Sequence, residues 1–487
     1  MSQLGRAALV GSLSTFGGSL MGFALRLGLN MVYARHIEAS AYGAYALASV
    51  AASFVGLPFA ASFSQSLVQL DAGHRGLFGT VWRLTVWQCL ATVGIGLVAL
   101  GVLFATHDDP RIAHCFLGLL GGQMLTAMAA VYENVLNRRL RYTAVAAIRF
   151  GGIVFSLAVA TPFAFLSPGP FVLVLRDALP ALLSLLVIVP MVMAGRYLEP
   201  GDRAYDKTTA TAVLALGRAV FVNRALEIAL ARLDSLLLGA VLGEKPLGHY
   251  EQARYLAGLP NAAVAPFGQS VGLRTFAVVR DDPPRLARAL ALLQWAISRF
   301  LAVFSLAVII APDLAVRLVY GPGWDDAAMN LRLLALWLWL MPLMANQQML
   351  LTALQTWWPI RIGYILGAAT LALALVPVAL TREAALVPLA QTAGIGVVFL
   401  VLQRAARAAV AVPRGIFWPP LAAAALASAA GLGLRALTPG LDVYPQAALA
   451  AALGVLVYIA ALFALERKHM LGELRYLRDV LRRRSAA

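Results

Sequence analysis

The sequence predicts an all-α polytopic membrane protein of about fourteen transmembrane helices: two pseudo-symmetric six-helix lobes around a central cavity, plus two C-terminal helices. Three observations carry this. Of 487 residues 61% are hydrophobic and 13% charged, with mean hydropathy +0.79, whereas soluble domains run at about 25% charged. Apolar runs long enough to cross a bilayer follow one another along the whole chain. The second half also repeats landmarks of the first.

The first six spans fall at about 8–34, 41–67, 80–105, 113–135, 144–166 and 171–194. The first run is too long for the apolar core of a cleaved signal, so it reads as an uncleaved span. Residues 1–195 therefore form an N-lobe. The polar stretch RYLEPGDRAYDKTT opens a linker over 196–212. The C-lobe, 213–408, holds spans at about 214–242, 246–272, 290–311, 327–352, 359–380 and 384–403. Residues 409–466 add spans at about 415–436 and 444–465, and 467–487 form a basic tail. Leu471, Leu474, Leu477 and Leu481 recur in the tail at helical spacing among arginines. Two readings fit it: an interfacial amphipathic helix on anionic lipid, or a solvated tail that obeys the positive-inside rule.

The formal charge of +16 does not point to nucleic acid, because the lysines and arginines lie between apolar runs and no soluble face displays them. They set topology instead. Most fall in alternate connections and in the tail, which places both termini in the cytoplasm. Cys89 and Cys115 lie in or beside spans and read as small packing residues. No Gly-rich loop precedes a Lys and a Ser or Thr, so no ATP hydrolysis is expected. No His and Cys set has metal-ligand spacing, and no cofactor or catalytic residue is expected.

The repeat decides the architecture. Gly43 and Tyr45 of YGAY align with Gly248 and Tyr250 of LGHY. After a single gap, Ala61, Phe63, Gln65 and Ser66 align with Ala265, Phe267, Gln269 and Ser270. Two matches in order indicate an internal duplication. Six intervening spans return the chain to the same side, so the halves are parallel repeats, which place substrate between them.

Charge inside a span is costly and marks function. Arg26, in the first span, has no acid within two turns. The seventh span carries Asn223, Arg224, Glu227, Arg232 and Asp234, and the eighth Glu251 and Arg254. Arg224 and Glu227 share a helical face, as do Glu251 and Arg254. These residues read either as paired glue between helices or as a site, with Arg26, Arg224, Arg232, Arg254 and Asn223 binding an anionic ligand. Glu227, Asp234 and Glu251 are the acids among them. Pro58, Pro260 and Pro266 fall at matching depths and read as hinges or static kinks. Trp337, Trp339, Trp357 and Trp358 are expected mainly at membrane interfaces.

The run A-R-x-I-x-x-x-x-Y-G-x-Y at Ala34 to Tyr45, together with YGPGWDDAAMNLRLLAL at Tyr320 to Leu336, resembles the Wzx-type polysaccharide flippases. That family lies in the multidrug, oligosaccharidyl-lipid and polysaccharide exporter superfamily. The resemblance implies alternating-access transport of an undecaprenyl-pyrophosphate-linked oligosaccharide from the cytoplasmic to the periplasmic leaflet. It also implies a polysaccharide polymerase and a chain-length regulator as partners. Arginine forks suit pyrophosphate. The alternatives are a lipid II flippase and a multidrug and toxin extruder. The latter is expected to have twelve spans and an acidic cavity. A non-transporting scaffold would not need intramembrane charge.

Overall fold

The computed structural model describes residues 21–22, 24–70, 74–195, 197–198, 201–267, 276, 282–411 and 415–485. Among them every regular element is helical. Among the described residues nine helices are long and apolar enough to cross a membrane, or up to eleven if each of two bent pairs counts as one span. The chain is therefore a multi-pass membrane protein. The first expected span begins outside the described residues and continues as α1 (24–36). Gln269 and Ser270 of the repeat also lie outside them, as do the side chains of the tail's leucine stripe.

The helices pack as two compact units. The first comprises residues 1–252, 319–322 and 360–394. It contains α1, α2 (Ala39–Val55), α3 (Leu77–Thr106), α4 (Pro110–Arg138), α5 (Tyr142–Leu166), α6 (Pro170–Ala194), α7 (Lys207–Leu242) and the first turns of α8 (Glu244–Phe267). The second unit contains the rest of α8, then α9 (Pro283–Ile310), α10 (Pro312–Tyr320) up to Leu318, α11 (Asp325–Leu333) and α12 (Ala335–Ala353). Between the two stretches of the second unit the chain returns to the first unit as α13 (Trp357–Ala374) and α14 (Val376–Thr381). It then runs through α15 (Leu386–Ala409) into α16 (Trp418–Leu437) and α17 (Val443–Ser485).

In the first unit the outward faces are apolar: Leu97, Val98 and Phe104 of α3 are all exposed, as lipid-facing side chains must be. The second expected span is broken. Pro58 cannot donate a backbone hydrogen bond, and α2 gives way to a 3₁₀ turn at Leu57–Ala61, with a 57° bend to the segment Leu57–Gln69. In contrast, α8 continues through Pro260, so the matching prolines do not both break their helices.

The repeat glycines meet each other. A methyl group on Gly43 would lie 1.8 Å from the carbonyl oxygen of Glu244, and one on Gly248 would lie 2.0 Å from that of Ala39. Only glycine lets α2 and the start of α8 cross this closely. The linker is equally close to α3. Gly79 N donates to Asp202 O at 2.7 Å, and Asp206 N donates to Thr80 Oγ1 at 3.0 Å. Asp206 caps α7 by accepting from Thr209 N at 2.7 Å, and the hydroxyls and amides of Thr208 and Thr209 hold its carboxyl at about 2. A methyl group on Gly79 would sit 2.2 Å from Arg203 O.

The second unit closes around buried polar contacts. Arg299 of α9 forms an ion pair with Glu466 of α17 through Nε at 2.9 Å and through Nη2, with both side chains buried. Glu466 leaves helical geometry at φ −127°, ψ 18°, which marks where the last span ends and the tail begins. Arg435 of α16 binds Asp313 through both nitrogens, at 2.8 and 2.7 Å. Trp337 and Trp339 are buried, and Trp339 donates to Ser298 O at 2.8 Å. They are therefore core residues and not the interfacial anchors expected of intramembrane tryptophans, whereas Trp357 and Trp358 are exposed.

The glycine contacts are testable. Gly79→Ala and Gly43→Ala should each cost about 1–3 kcal/mol by overpacking, read as a lower thermal midpoint of the purified protein in detergent. Gly94→Ala, whose methyl would meet nothing within 4 Å, should leave the midpoint unchanged or raise it.

Candidate functional site

The break at Pro58 opens a cavity of about 450 Å3 in the first unit, between the Gly56–Ser64 stretch, α3, α4 and α7. A broken helix leaves backbone carbonyls without partners, and in a bilayer these must be satisfied by protein. Gln88 of α3 does so, donating to Pro58 O at 2.7 Å. Gln123 of α4 packs on Gly56, where a methyl group would lie 2.2 Å from its Oε1. Ser62 adopts the left-handed conformation at φ 48° and turns the chain along the cavity wall.

Arg224 and Arg232 of α7 both line this cavity, with Ile228 between them. Spacings of four place the three on one helical face. Arg224 is held by Glu227, Nη1 to Oε2 at 2.7 Å, and more than half of its side chain remains exposed. Arg232 lies 4.0 Å from Glu251 Oε1. Neither acid is among the lining residues, so the wall presents two guanidinium groups while their counter-charges stand behind it. Arginine offers five donors in a fixed fork, and one contact each leaves most of them for a ligand. Gln88, Gln123, Ser62, Ser64 and Thr126 supply further hydrogen-bonding groups.

The other expected site residues are distributed around this pair. Asn223 accepts from Arg361 Nε at 3.0 Å, which ties α7 to α13. Asp234 is fully buried and accepts from the Tyr250 hydroxyl and, at 2.7 Å, from Ser235 N. Glu251 accepts from the Ser235 hydroxyl. Arg254 belongs to the second unit and is half-buried. Arg26 is exposed on α1 and is not among the residues lining the cavity. It makes no hydrogen bond or ion pair among the described residues, and its charge is felt at Asp177.

That aspartate belongs to a group which sequence reasoning missed. Arg176 and Asp177 of α6 pair through Nε at 2.8 Å and Nη2 at 3.1 Å, and the Tyr45 hydroxyl donates to Asp177. Arg176 Nη1 reaches Asn30 Oδ1 at 3.4 Å, and Asn30 Nδ2 donates to Gln252 Oε1 at 3.1 Å. A polar chain thus runs from α6 through α1 to α8. The signal was adjacent opposite charges in one apolar run. The repeat-equivalent tyrosines Tyr45 and Tyr250 each hold an aspartate of a neighbouring helix. Among the described residues no group of three His, Cys, Asp or Glu is placed to hold a metal ion.

Comparison with known proteins follows from this geometry. The sequence profile of a family described as "Polysaccharide biosynthesis protein" matches residues 32–329, more than half of the chain. The amylovoran biosynthesis protein AmsL of Erwinia amylovora is 33% identical over 110 residues, which are 23% of this chain and 28% of the length of that relative. Among solved structures, the lipid II flippase MurJ in an inward closed conformation superposes with a TM-score of 0.71 at 14% identity, covering 95% of this chain and all of that one. An inward-facing multidrug resistance transporter of the MATE family gives 0.58 at 12%, covering 82% and 98%. A MOP superfamily transporter from Pyrococcus furiosus, with a binding pocket of reversed polarity, gives 0.54 at 12%, covering 83% and 96%. The fold is that of the MurJ and MATE transporters.

The cavity wall makes a direct prediction. Inorganic pyrophosphate should bind the purified protein with an affinity that falls as salt rises. Glu227→Gln, which removes the acid behind Arg224, should tighten binding severalfold by isothermal titration, and Arg224→Ala should weaken it about tenfold.

Proposed function

Because the chain belongs to the polysaccharide biosynthesis protein family, we propose that it is a flippase. Its substrate is an undecaprenyl-pyrophosphate-linked oligosaccharide, moved from the cytoplasmic to the periplasmic leaflet by alternating access, for exopolysaccharide, capsule or O-antigen synthesis. The observation that carries this is the pair Arg224 and Arg232 on the wall of a cavity between membrane-spanning helices. A pyrophosphate is a multiply charged anion, and guanidinium forks bind its oxygens bidentately. The lipid stays in the bilayer while the polar head occupies the cavity. The amylovoran relative supports a polysaccharide role, and the MurJ-like fold supports a lipid-linked substrate.

The working parts follow from the same reading. The lobes 1–195 and 213–408 move about the linker 196–212, with residues 409–466 as two accessory spans and the tail 467–487 in the cytoplasm beside the N-terminus. The protein sits in the bacterial inner membrane, performs no chemical step, and delivers to a polymerase and a chain-length regulator. Arg26 and Arg254 extend the cationic lining in other conformations, and Asn223 positions α7. Glu227, Asp234 and Glu251 are the candidates for coupling to an ion gradient. A cation-exporting multidrug role fits less well, because such a cavity needs acids and not arginines on its wall. A lipid II substrate shares the pyrophosphate and differs in its peptide-bearing sugar.

Replacing both Arg224 and Arg232 with Ala should abolish polymer export in a cell that depends on this protein, with the membrane level unchanged. Normal export by that variant would remove the cavity from the mechanism. Glu227→Gln tests coupling: gradient-dependent flipping in proteoliposomes should fall about tenfold or more if this carboxylate carries the ion, and undiminished flipping would exclude it.

A further inference from the structure

A second cavity of the first unit, about 530 Å3, lies along the same two elements as the arginine cavity. One face of α4 serves both. Gln123, Ala127 and Ala130 line the first, and Asn134 and Asn137 line the second. Spacings of three and four keep these residues on one stripe, which runs roughly 21 Å at 1.5 Å per residue. The broken segment behaves likewise: Ser62 and Ser64 face the arginine cavity, and Gln65 and Gln69 face the second. Two adjacent elements therefore form a track that changes in character along its length.

The chemistry of the far end differs from that of the near end. Four carboxamides line it, with the Tyr142 ring and Arg149 of α5. Arg149 is paired with Glu133, at 2.6 Å through Nη2 and 3.2 Å through Nε, so this end presents one guanidinium among four carboxamides where the arginine cavity presents two. Asn137 Nδ2 donates to Asn134 Oδ1 at 3.2 Å, which orients that pair. Gln65, Gln69 and Tyr142 make no side-chain hydrogen bond among the described residues. A carboxamide both donates and accepts, as do the hydroxyl groups of a sugar, and an aromatic ring offers an apolar surface for its C–H face.

We propose that this amide-lined cavity is a glycan-binding subsite, which takes uncharged sugar units of the substrate while the pyrophosphate lies at Arg224 and Arg232. It rests on the flippase reading and adds to it the part of the protein that reads the sugars. The subsite makes the glycan contribute to affinity, so lipid carriers with and without sugars are told apart.

The test uses the full chain in lipid nanodiscs and two probes: undecaprenyl pyrophosphate, and the same lipid carrying a trisaccharide of neutral hexoses. The wild type should bind the glycosylated probe about tenfold more tightly than the bare one, the effect of one or two added hydrogen bonds. Asn134→Leu with Asn137→Leu, and separately Gln65→Ala with Gln69→Ala, should bring the two affinities within about twofold while the bare probe binds as before. Unchanged binding of the bare probe reports that each variant is folded, and Gln65 and Gln69 are exposed, so their truncation leaves no cavity in the core. The inference is overturned if the variants keep the full preference, or if the wild type binds both probes equally while Arg224→Ala weakens both. If the wild type binds neither probe, the flippase reading fails and the subsite fails with it.

Discussion

The first unit depends on a contact between two backbones. α2 and α8 cross at Gly43 and Gly248, where each helix lies against a carbonyl of the other with no side chain between them. In a bilayer, apolar surface gains little by leaving lipid, so close backbone packing takes the place of the hydrophobic effect in holding helices together. Any residue larger than glycine would push the pair apart. That would also shift α7, which precedes α8 by the single residue Gly243 at φ 86° and packs on the broken stretch after α2 through Gly217 and Phe63. The arginines on the cavity wall thus owe their position to a crossing between two glycines.

Charge is managed by the same economy of contacts. Two cations of the second unit have a carboxylate partner on another helix: buried Arg299 with Glu466, and half-buried Arg435 with Asp313. Breaking a buried pair leaves an uncompensated ion, a far larger loss than the pair's net contribution, so these contacts fix which helices are neighbours. The α7 arginines differ. Their acids lie on α7 itself or on the next helix, and the guanidinium groups remain on a cavity wall. A pair in which one partner faces water is weak. It can therefore be exchanged for an anionic ligand without leaving a buried charge alone.

The helical class and most span positions were legible in the sequence, because hydropathy depends on composition and order alone. The charged cluster of α7 was legible for the same reason. The partners of its members were not. Glu251 beside Arg232, Arg361 on Asn223 and Tyr250 on Asp234 join residues on different helices, and no spacing along one helix encodes them. Arg176 and Asp177 are adjacent in one apolar run, and they form the centre of a polar chain to Asn30 and Gln252. Neighbours in sequence do not face each other on a helix, and these two pair only because a long arginine side chain folds back. The tryptophans of α12 show the opposite case: composition placed them at an interface, and packing buried them.

The two stretches with matching landmarks do not share a break. α2 ends before Pro58, and Gln88 donates to the carbonyl of Pro58 itself. Pro260 sits in a helix that continues past it. Sharp kinks fall at proline, whose missing N–H and ring disrupt the ladder of the helix. At this break Gln88 satisfies a backbone carbonyl, and Gly56 makes room for Gln123 at the same level. The cavity with its two arginines therefore lies at one of two matching prolines, beside a glutamine of α3 and a glycine at the bend, and a polar face of α4 runs on from it.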